Sequence, residues 1–254
     1  MDRRQALTFL GAAVACPTCA AIANASEDKG GQSWGYEGEY GPERWGAVSP
    51  ANITCSIGRQ QSPIDLRNPI PAELSDIQVH FRPSKLEVLN NGHTIEVVVP
   101  KGSFMVLDGM RYELLQFHFH HPSEHLVEGS SFPMEAHFVH KSAKGDLAVL
   151  GAFIAAGEEH PMLKRVWDRM PMEGGKTVRD ATIVRPSDLL PDDHEHFRYA
   201  GSLTTPPCSE IVSWIVFNEP IEASSAQIQK FAGLFPLNAR PVQPMNRRFI
   251  LGSF

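Results

Sequence analysis

Three histidines lie in two short segments that are rich in strand-forming residues. His118 and His120 stand two positions apart, and His137 follows in a second segment at residues 134–140. Side chains two positions apart on a strand point to the same face, roughly 6.6 Å from each other along it. If the two segments pair in a sheet, all three imidazoles can converge on one Zn²⁺ and leave one tetrahedral position open. That arrangement is typical of a catalytic zinc site rather than a structural one.

The same residues leave two other interpretations open. His118, His120 and Glu124, followed by Gly129, imitate a cupin motif, in which the glutamate would itself bind iron or manganese. The later histidine segment that cupins carry between glycines and prolines is absent from the sequence. A non-enzymatic exported module that holds zinc or acts in adhesion would need a blocked fourth position on the metal. Metal content separates the cupin from the zinc enzyme, and activity separates the enzyme from the module.

The elements that must position these histidines are predicted to be mostly strands. The dipeptide Asn91-Gly92 marks a hairpin between residues 86–89 and 93–99. Further patterns follow along the chain, with strands at residues 111–120, 134–140, 147–155 and 211–217 and short helices at 161–170 and 224–235. Many closely spaced strands, few helices and no linker predict a mainly β fold in a single domain.

Composition excludes two classes of partner. The 254 residues carry a formal net charge of −6, and no basic cluster with interleaved aromatic residues occurs. Nucleic acids and anionic membranes are recognised by positively charged surfaces, so neither is expected to bind. A hydrophobic content of 42% is ordinary for a globular protein with a sizeable core.

The first 25 residues have the pattern of a secretory signal peptide. Two arginines precede an apolar run at residues 6–15 that is too short to span a bilayer, and the small residues 23–25 offer a cleavage site. We therefore predict a signal peptide at 1–25, a catalytic domain at 26–254 and export to the periplasm, with secretion as the alternative. The adjacent arginines also permit twin-arginine export, and Cys16 permits a lipid-anchored form.

Removal of that segment leaves one pair of cysteines, Cys55 and Cys208. An even pair in an exported protein predicts a disulfide. The bridge would close a long loop, and chain entropy assigns it about 4–5 kcal/mol at most. The alternative is two free buried thiols. Neither cysteine lies in a Cys-x-x-Cys motif or a nucleophile setting, so we assign them no catalytic role.

Several motifs, in order along the chain, resemble the α-class carbonic anhydrases, in particular the exported bacterial type. They lie at residues 34–36, 41–45, 61–64, 90–93, 116–120, 135–137, 201–207 and 246–247. The resemblance implies a large, twisted, mostly antiparallel sheet with short helices around it. It also implies zinc-dependent, reversible hydration of CO₂ to bicarbonate and a proton, by attack of zinc-bound hydroxide and proton transfer through a histidine.

The resemblance assigns the metal and its supports to named residues, with His118, His120 and His137 as the ligands of Zn²⁺. Each imidazole that binds a metal needs a partner for its second nitrogen. Gln116 and Glu135, each two positions before a ligand, would supply that partner to His118 and His137. The backbone carbonyl of Asn246 would orient the remaining ligand.

The other implied roles concern turnover. Thr204 would accept the hydroxide proton while donating its own to an ionised Glu124. His93 would carry the released proton to solvent, because a histidine pKa near 6.5 suits that transfer. The remaining implied residues are Tyr36 and Asn91, which order the intervening waters, and Val139, Val149, Leu203, Thr205 and Trp214, which line the substrate pocket.

The resemblance also implies small-molecule partners, and the chain differs from the family pattern at a few positions. The small molecules would be CO₂, water and bicarbonate, with sulfonamides and anions as inhibitors, and a homodimer is compatible with it. Residues 121–122 and Glu96 depart from the family pattern, and Glu96 lies near the proton path, so the rate is affected more than the reaction type. We interpret His125 as a buried structural residue and the segment 194–196 as surface.

Overall fold

The computed structural model describes residues 34–254, in which strands are far more frequent than helices because apolar and polar residues alternate along many of the segments. The strands, numbered along the chain, are β1 (Asp65–Leu66), β2 (Ile70–Pro71), β3 (Gln78–His80), β4 (Ser84–Asn90), β5 (Ile95–Val98), β6 (Phe104–Leu107), β7 (Met110–His120), β8 (Leu126–Val127), β9 (Met134–Ser142), β10 (Leu147–Ala156), β11 (Lys176–Val184), β12 (His196–Gly201), β13 (Val212–Phe217), β14 (Ile221–Ala223) and β15 (Leu251–Gly252).

Nearly all of these strands form one large mixed sheet. Its order is β11-β4-β5-β7-β9-β10-β13-β12-β15-β2, with β14 beside β10 and with β6 joining β3 to β7. Most neighbours are antiparallel, whereas β10 runs parallel to β13 and β14, and β15 runs parallel to β2. Strands β1 and β8 pair separately. The predicted mainly β fold with a mostly antiparallel central sheet is confirmed.

The helices are short and stand outside the sheet, as α1 (Trp45–Val48), α2 (Thr54–Ile57), α3 (Pro161–Trp167) and α4 (Ser225–Ala232), with 3₁₀ turns at Gly38–Tyr40, Pro42–Arg44, Pro50–Asn52 and Pro186–Leu189. Ser224 caps α4, because its hydroxyl accepts from the Gln227 amide and the Gln227 side chain accepts from the Ser224 amide. Helices α3 and α4 occupy the predicted helical segments, but both end before the predicted residue.

The sheet separates an apolar core from a polar site. On β7, Phe117 and Phe119 point into the core, whereas Gln116 and His118 lie on the opposite face. Helix α3 covers the core face, where the Trp167 ring lies 4.7 Å from that of Phe119. The main hydrophobic cluster packs against one face of β7, and the other face carries polar groups. All described residues belong to one compact unit.

Strand β11 was not predicted from the sequence. It pairs with β4 at the edge of the sheet, with a register shift between Asp180 and Ile183, and most of its residues are exposed or half-buried. An edge strand with one solvent face and charged residues such as Lys176 and Arg179 carries no continuous apolar run. Its strand conformation therefore depends on pairing rather than on local pattern.

The predicted disulfide is present, with 2.07 Å between the sulfur atoms of Cys55 and Cys208. It joins α2 to the loop at residues 202–211, which follows β12. The predicted signal peptide at residues 1–25 lies outside the described residues. Within the described part of the chain, no helix is both long and apolar enough to cross a bilayer.

A buried histidine on β9 predicts acid sensitivity of the fold. His140 has no exposed surface, its Nδ1 donates to the Phe138 carbonyl, and its Nε2 has no partner. Burial lowers the pKa of His140 from 6.5 to about 3. Between these two values the unfolded chain binds the proton more readily, so stability decreases as the pH falls through this window. The contribution is about 1.4 kcal/mol per pH unit.

We therefore expect the His140→Gln variant to show a shallower dependence of the free energy of unfolding on pH between about 6 and 4. Denaturant titrations of variant and wild type at several pH values give the two slopes. The variant can be less stable at pH 7 without affecting the comparison, because the slope is the measured quantity. Equal slopes would contradict the assignment of this acid sensitivity to His140.

Candidate metal centre

The register of β7 and β9 brings the three histidines together. His118 is directly opposite His137, and His120 is directly opposite Glu135. One ring nitrogen from each of His118, His120 and His137 lies within 4.8 Å of the others. The convergence predicted from the spacing of these residues is therefore present in the fold, and the three rings are within reach of one shared ion.

Two of the imidazoles are oriented by side chains on their own strands. His118 Nδ1 donates to Gln116 Oε1 at 2.8 Å, and His137 Nε2 donates to Glu135 Oε1 at 2.8 Å. Both partners lie two positions before the histidine, so the strand period alone places them beside it. The hydrogen bonds leave His118 Nε2 and His137 Nδ1 free for a metal ion.

The third imidazole is oriented by the backbone. His120 Nδ1 donates to the carbonyl of Asn238 at 2.7 Å, and the buried Nε2 has no hydrogen-bond partner. The prediction that Asn246 supplies this carbonyl is wrong. Asn246 is exposed, and its amide donates to the Arg59 carbonyl. A buried nitrogen that finds no hydrogen-bond partner among residues 34–254 and faces two other imidazoles fits a metal ligand.

The Glu135 carboxylate is held from several sides. Its Oε2 accepts from the backbone amides of Glu124 and His125, both at 2.9 Å, and its Oε1 accepts from His125 Nδ1 at 2.8 Å as well as from His137. On β10 the residue opposite His137 is Gly151, where an added Cβ would come within 2.9 Å of Glu135 Oε1. A glycine is therefore needed for the carboxylate to fit.

The electrostatics of the cluster suit a cation. Burial, reinforced by the neighbouring imidazoles, lowers the pKa of His118 well below its ordinary value, and burial also lowers the pKa of His120. Burial opposes the charge on Glu135, but His125 and His137 hold its pKa well below the usual range. Burial opposes a charge on His137, but the carboxylate of Glu135 raises the pKa of that ring. Imidazoles beside buried carboxylates form a donor set that fits a metal ion.

Glu124 lies beside the imidazoles but makes different contacts. It is 1% exposed, and its Oε1 accepts from the Arg240 amide at 2.9 Å. Its Oε2 stands 3.6 Å from His120 Nε2 and 3.8 Å from His137 Nδ1 and accepts no hydrogen bond from residues 34–254. The predicted hydrogen bond from Thr204 to Glu124 is therefore not formed here.

Arg240 is a site residue that the sequence did not reveal. Its guanidinium is 2% exposed and donates to Gln61 Oε1 at 2.9 Å and to the Ser62 carbonyl at 2.8 Å. It also reaches the Cys55 carbonyl at 3.3 Å. The sequence Asn238-Ala239-Arg240-Pro241 has no periodicity and no metal-binding spacing, so only the fold brings this segment to the site.

An apolar wall borders the imidazoles on the same face of the sheet. Val139 is opposite Val149, and Val149 is beside Trp214 across the parallel pair β10–β13. The Trp214 ring lies 4.8 Å from that of His137, and its Nε1 donates to the Ser202 carbonyl at 2.9 Å.

Leu203, Thr204 and Thr205 follow in the loop at residues 202–211 that the disulfide joins to α2. The Cys208 amide donates to the Thr205 carbonyl at 2.9 Å, and the Leu203 amide donates to the Ser209 carbonyl at 3.1 Å. Thr204 is 6% exposed, whereas Leu203 and Thr205 are half-buried. Backbone hydrogen bonds thus close the loop on itself, and the bridge fixes it to α2.

His93 lies at the hairpin that the sequence predicted. Its ring stacks on Trp34 with centroids 3.7 Å apart and planes inclined by 7°. Burial lowers the pKa of His93. Asn91 shapes the turn, since its Oδ1 accepts from the amides of His93 and Thr94, both at 2.9 Å.

Tyr36 and Glu96 stand in the same region. Burial, together with the charge of Glu124, raises the pKa of Tyr36 well above its ordinary value. Burial raises the pKa of Glu96, while a hydrogen bond from Asn91 opposes this shift. The Asn91 amide therefore reaches the residue that departs from the family pattern.

The remaining histidines divide between interior and surface. His125 is buried as expected, with Nδ1 on Glu135 and Nε2 2.7 Å from the Tyr199 hydroxyl. The prediction that the segment 194–196 lies on the surface is wrong for His196, which is 3% exposed because β12 begins there, and correct for His194.

Comparison with known proteins agrees with this geometry. The family model of the eukaryotic-type carbonic anhydrases matches residues 40–254. The chain belongs to this family. A carbonic anhydrase of Nostoc sp. is 45% identical over 255 residues, which cover 98% of this chain and 97% of that protein. A carbonic anhydrase of Neisseria gonorrhoeae is 43% identical over 220 residues, covering 86% of this chain and 87% of that protein.

Among solved structures, the α-carbonic anhydrase of Thermovibrio ammonificans in complex with the inhibitor sulfanilamide has a TM-score of 0.84. It is 48% identical, and the match covers 86% of this chain and 98% of that one. The protein is accordingly an enzyme of the carbonic anhydrase class, and membership supports hydration of CO₂ as its reaction. The cupin and non-enzymatic interpretations of the histidine pattern are thereby set aside.

Proposed function

We propose that the protein catalyses the zinc-dependent, reversible hydration of CO₂ to bicarbonate and a proton. The observation that carries this proposal is the set of three converging imidazoles whose outer nitrogens are all paired, with His120 Nε2 left without a partner. His118, His120 and His137 would hold Zn²⁺, which would lower the pKa of a bound water to about 7, as it does in carbonic anhydrases generally, and so supply a nucleophile at neutral pH.

The surrounding residues have separate tasks in this proposal. Val139, Val149, Leu203 and Trp214 give an apolar molecule such as CO₂ a surface to bind beside the metal. Gln116, Glu135 and the Asn238 carbonyl keep the imidazoles in place. Glu124 supplies a buried carboxyl group beside the imidazoles, and Thr204 and Thr205 lie on the loop that follows β12.

His93 accepts the proton released by the reaction and returns it to solvent, with Tyr36 and Asn91 near its path. Its half-buried ring at the rim of the site supports this role. The pattern of residues 1–25 and the disulfide between Cys55 and Cys208 support export to an oxidising compartment such as the periplasm. We also expect inhibition by aromatic sulfonamides and simple anions.

The test is CO₂ hydration by the mature protein in a stopped-flow instrument, together with its metal content. We expect rapid hydration, one equivalent of zinc and inhibition by an aromatic sulfonamide. Zinc at one equivalent with no hydration above the uncatalysed rate would refute the proposed reaction. Iron or manganese in place of zinc would refute the proposed cofactor.

Replacing His93 with alanine tests the proton path. We expect hydration in weak buffer to fall about 10-fold or more and to recover as imidazole buffer is added, since external base then replaces the side chain. Because burial lowers the pKa of His93, the part of the rate that depends on this residue should titrate below pH 6.5.

A matched control is available in His80, which is exposed and also stacks on an aromatic ring, that of Phe104 at 4.6 Å. His80→Ala should leave the rate unchanged at every buffer concentration. If His93→Ala lowers the rate equally in weak and strong buffer, the shuttle role is wrong.

A further inference from the structure

One buried asparagine contacts both the metal cluster and the turn that carries His93. Asn238 is 1% exposed and lies in the segment after α4. Its side-chain amide donates to the carbonyls of His93 and Phe119, both at 3.0 Å. Its Oδ1 accepts from the His121 amide at 2.7 Å. Its backbone carbonyl accepts from His120 Nδ1, so both the side chain and the backbone of Asn238 contact the site.

These contacts surround the third histidine of the cluster. Phe119 and His121 are the neighbours of His120 in the chain, so the Asn238 side chain holds the backbone on both sides of the ligand. The Asn238 carbonyl meanwhile fixes the direction of the imidazole ring. A shift of this residue would therefore move the ligand backbone and the ligand ring together.

One hydrogen of the Asn238 side-chain amide connects the metal cluster to the proton path. It is donated to the backbone carbonyl of His93, the residue whose ring stacks on Trp34. The His93 turn belongs to the β4–β5 hairpin, whereas His120 ends β7. One side chain thus connects two elements whose functional groups lie at the same site.

We propose that Asn238 is a positioning residue that fixes His120 and the His93 turn relative to each other, so that metal retention and proton transfer depend on the same side chain. The part that concerns His93 rests on the proposed reaction, whereas the part that concerns metal retention rests only on the proposed zinc site. This buried amide is costly to replace, because the His93 carbonyl and the His121 amide would each lose a partner and pay a desolvation penalty. The Phe119 carbonyl would keep the hydrogen bond that it accepts from the Thr94 hydroxyl.

Asn238→Asp is the sharpest variant. It has nearly the same shape and keeps an acceptor for the His121 amide, but it replaces both N–H donors with an oxygen that faces the carbonyls of His93 and Phe119. Asn90→Asp is the matched control. Asn90 is 3% exposed, its amide donates to the Pro171 carbonyl and its Oδ1 accepts from the Gly92 amide, both at 3.0 Å. It therefore holds the same hairpin without touching His120.

The measurements are the rate of zinc loss to excess chelator, the melting temperature, and hydration in weak and strong buffer. We expect Asn238→Asp to lose zinc about 10- to 100-fold faster than wild type, the range found for partners of metal ligands. We also expect its rate in weak buffer to fall more than its kcat/KM. Asn90→Asp should melt at a lower temperature than wild type but lose zinc at the wild-type rate.

Equal rates of zinc loss in Asn238→Asp, Asn90→Asp and wild type would overturn the proposal, even if both variants are destabilised. If Asn238→Asp does not fold, Asn238→Ser, which introduces no charge, is measured in the same way with Asn90→Ser as its control. The chelator experiment needs no CO₂, so an inactive wild type would refute the proposed function while the zinc-loss comparison still decides the role of Asn238.

Discussion

Replacing His120 with alanine is expected to remove the metal and the activity together. Structural zinc sites with four protein ligands are worth roughly 10–16 kcal/mol, so losing one ligand costs about 2.5–4 kcal/mol, a decrease in affinity of about 70- to 900-fold. His120 also has the strongest geometric basis, because its Nδ1 is held by the Asn238 carbonyl and its Nε2 has no other partner. Zinc content after dialysis and CO₂ hydration by stopped flow measure the two losses.

The control for this change is His196→Ala. His196 is a second buried histidine, with Nδ1 on the His194 carbonyl and Nε2 without a partner, but it lies on β12 outside the cluster. We expect this variant to keep one equivalent of zinc and most of its activity, even if it melts at a lower temperature. Retention of stoichiometric zinc and wild-type hydration by His120→Ala would show that the metal is held elsewhere.

We expect the variants Glu124→Gln and Glu135→Gln to lose activity for different reasons. Both carboxylates are buried, but Glu124 turns an unpartnered oxygen into the cavity, whereas Glu135 is committed to His125, His137 and two backbone amides. Glu124→Gln should keep its zinc and lose about 100-fold or more in kcat/KM, because an amide cannot accept a proton as a carboxylate does. Glu135→Gln should bind zinc about 10- to 100-fold more weakly.

Adding excess zinc separates the two effects. Activity of Glu135→Gln should increase as zinc is added, since its defect is in metal binding, whereas activity of Glu124→Gln should not change. The two variants therefore serve as controls for each other, with the same substitution at two buried positions of one cavity. Recovery of Glu124→Gln by zinc, or full activity of this variant, would remove Glu124 from the proposed chemistry.

The metal ligands could be predicted from the sequence because a strand repeats every two residues. This period places Gln116 beside His118 and Glu135 beside His137 before any tertiary contact is known. The partner of His120 could not be predicted in this way. It is a backbone carbonyl at Asn238, whose position depends on the path of the chain after α4 rather than on its side-chain type.

Other errors have the same origin in tertiary structure. His196 lies in an acidic, polar segment that predicts surface, yet pairing of β12 with β13 buries it. Strand β11 has too few apolar residues to be predicted from the sequence, and its conformation depends on its pairing with β4. The orientation of Glu124 depends on the Arg240 amide, which is more than one hundred positions away in the chain. Local pattern decides which residues share a face, whereas distant contacts decide what each one touches.

The contacts of Asn238 and Arg240 have a consequence for how the protein is made. A ribosome releases residues from the N terminus onward, so the three imidazoles emerge long before the groups that orient His120 and Glu124. A nascent chain that stops short of Asn238 lacks both, and we expect it to bind zinc poorly. We therefore expect the ion to be acquired late, when synthesis is nearly finished.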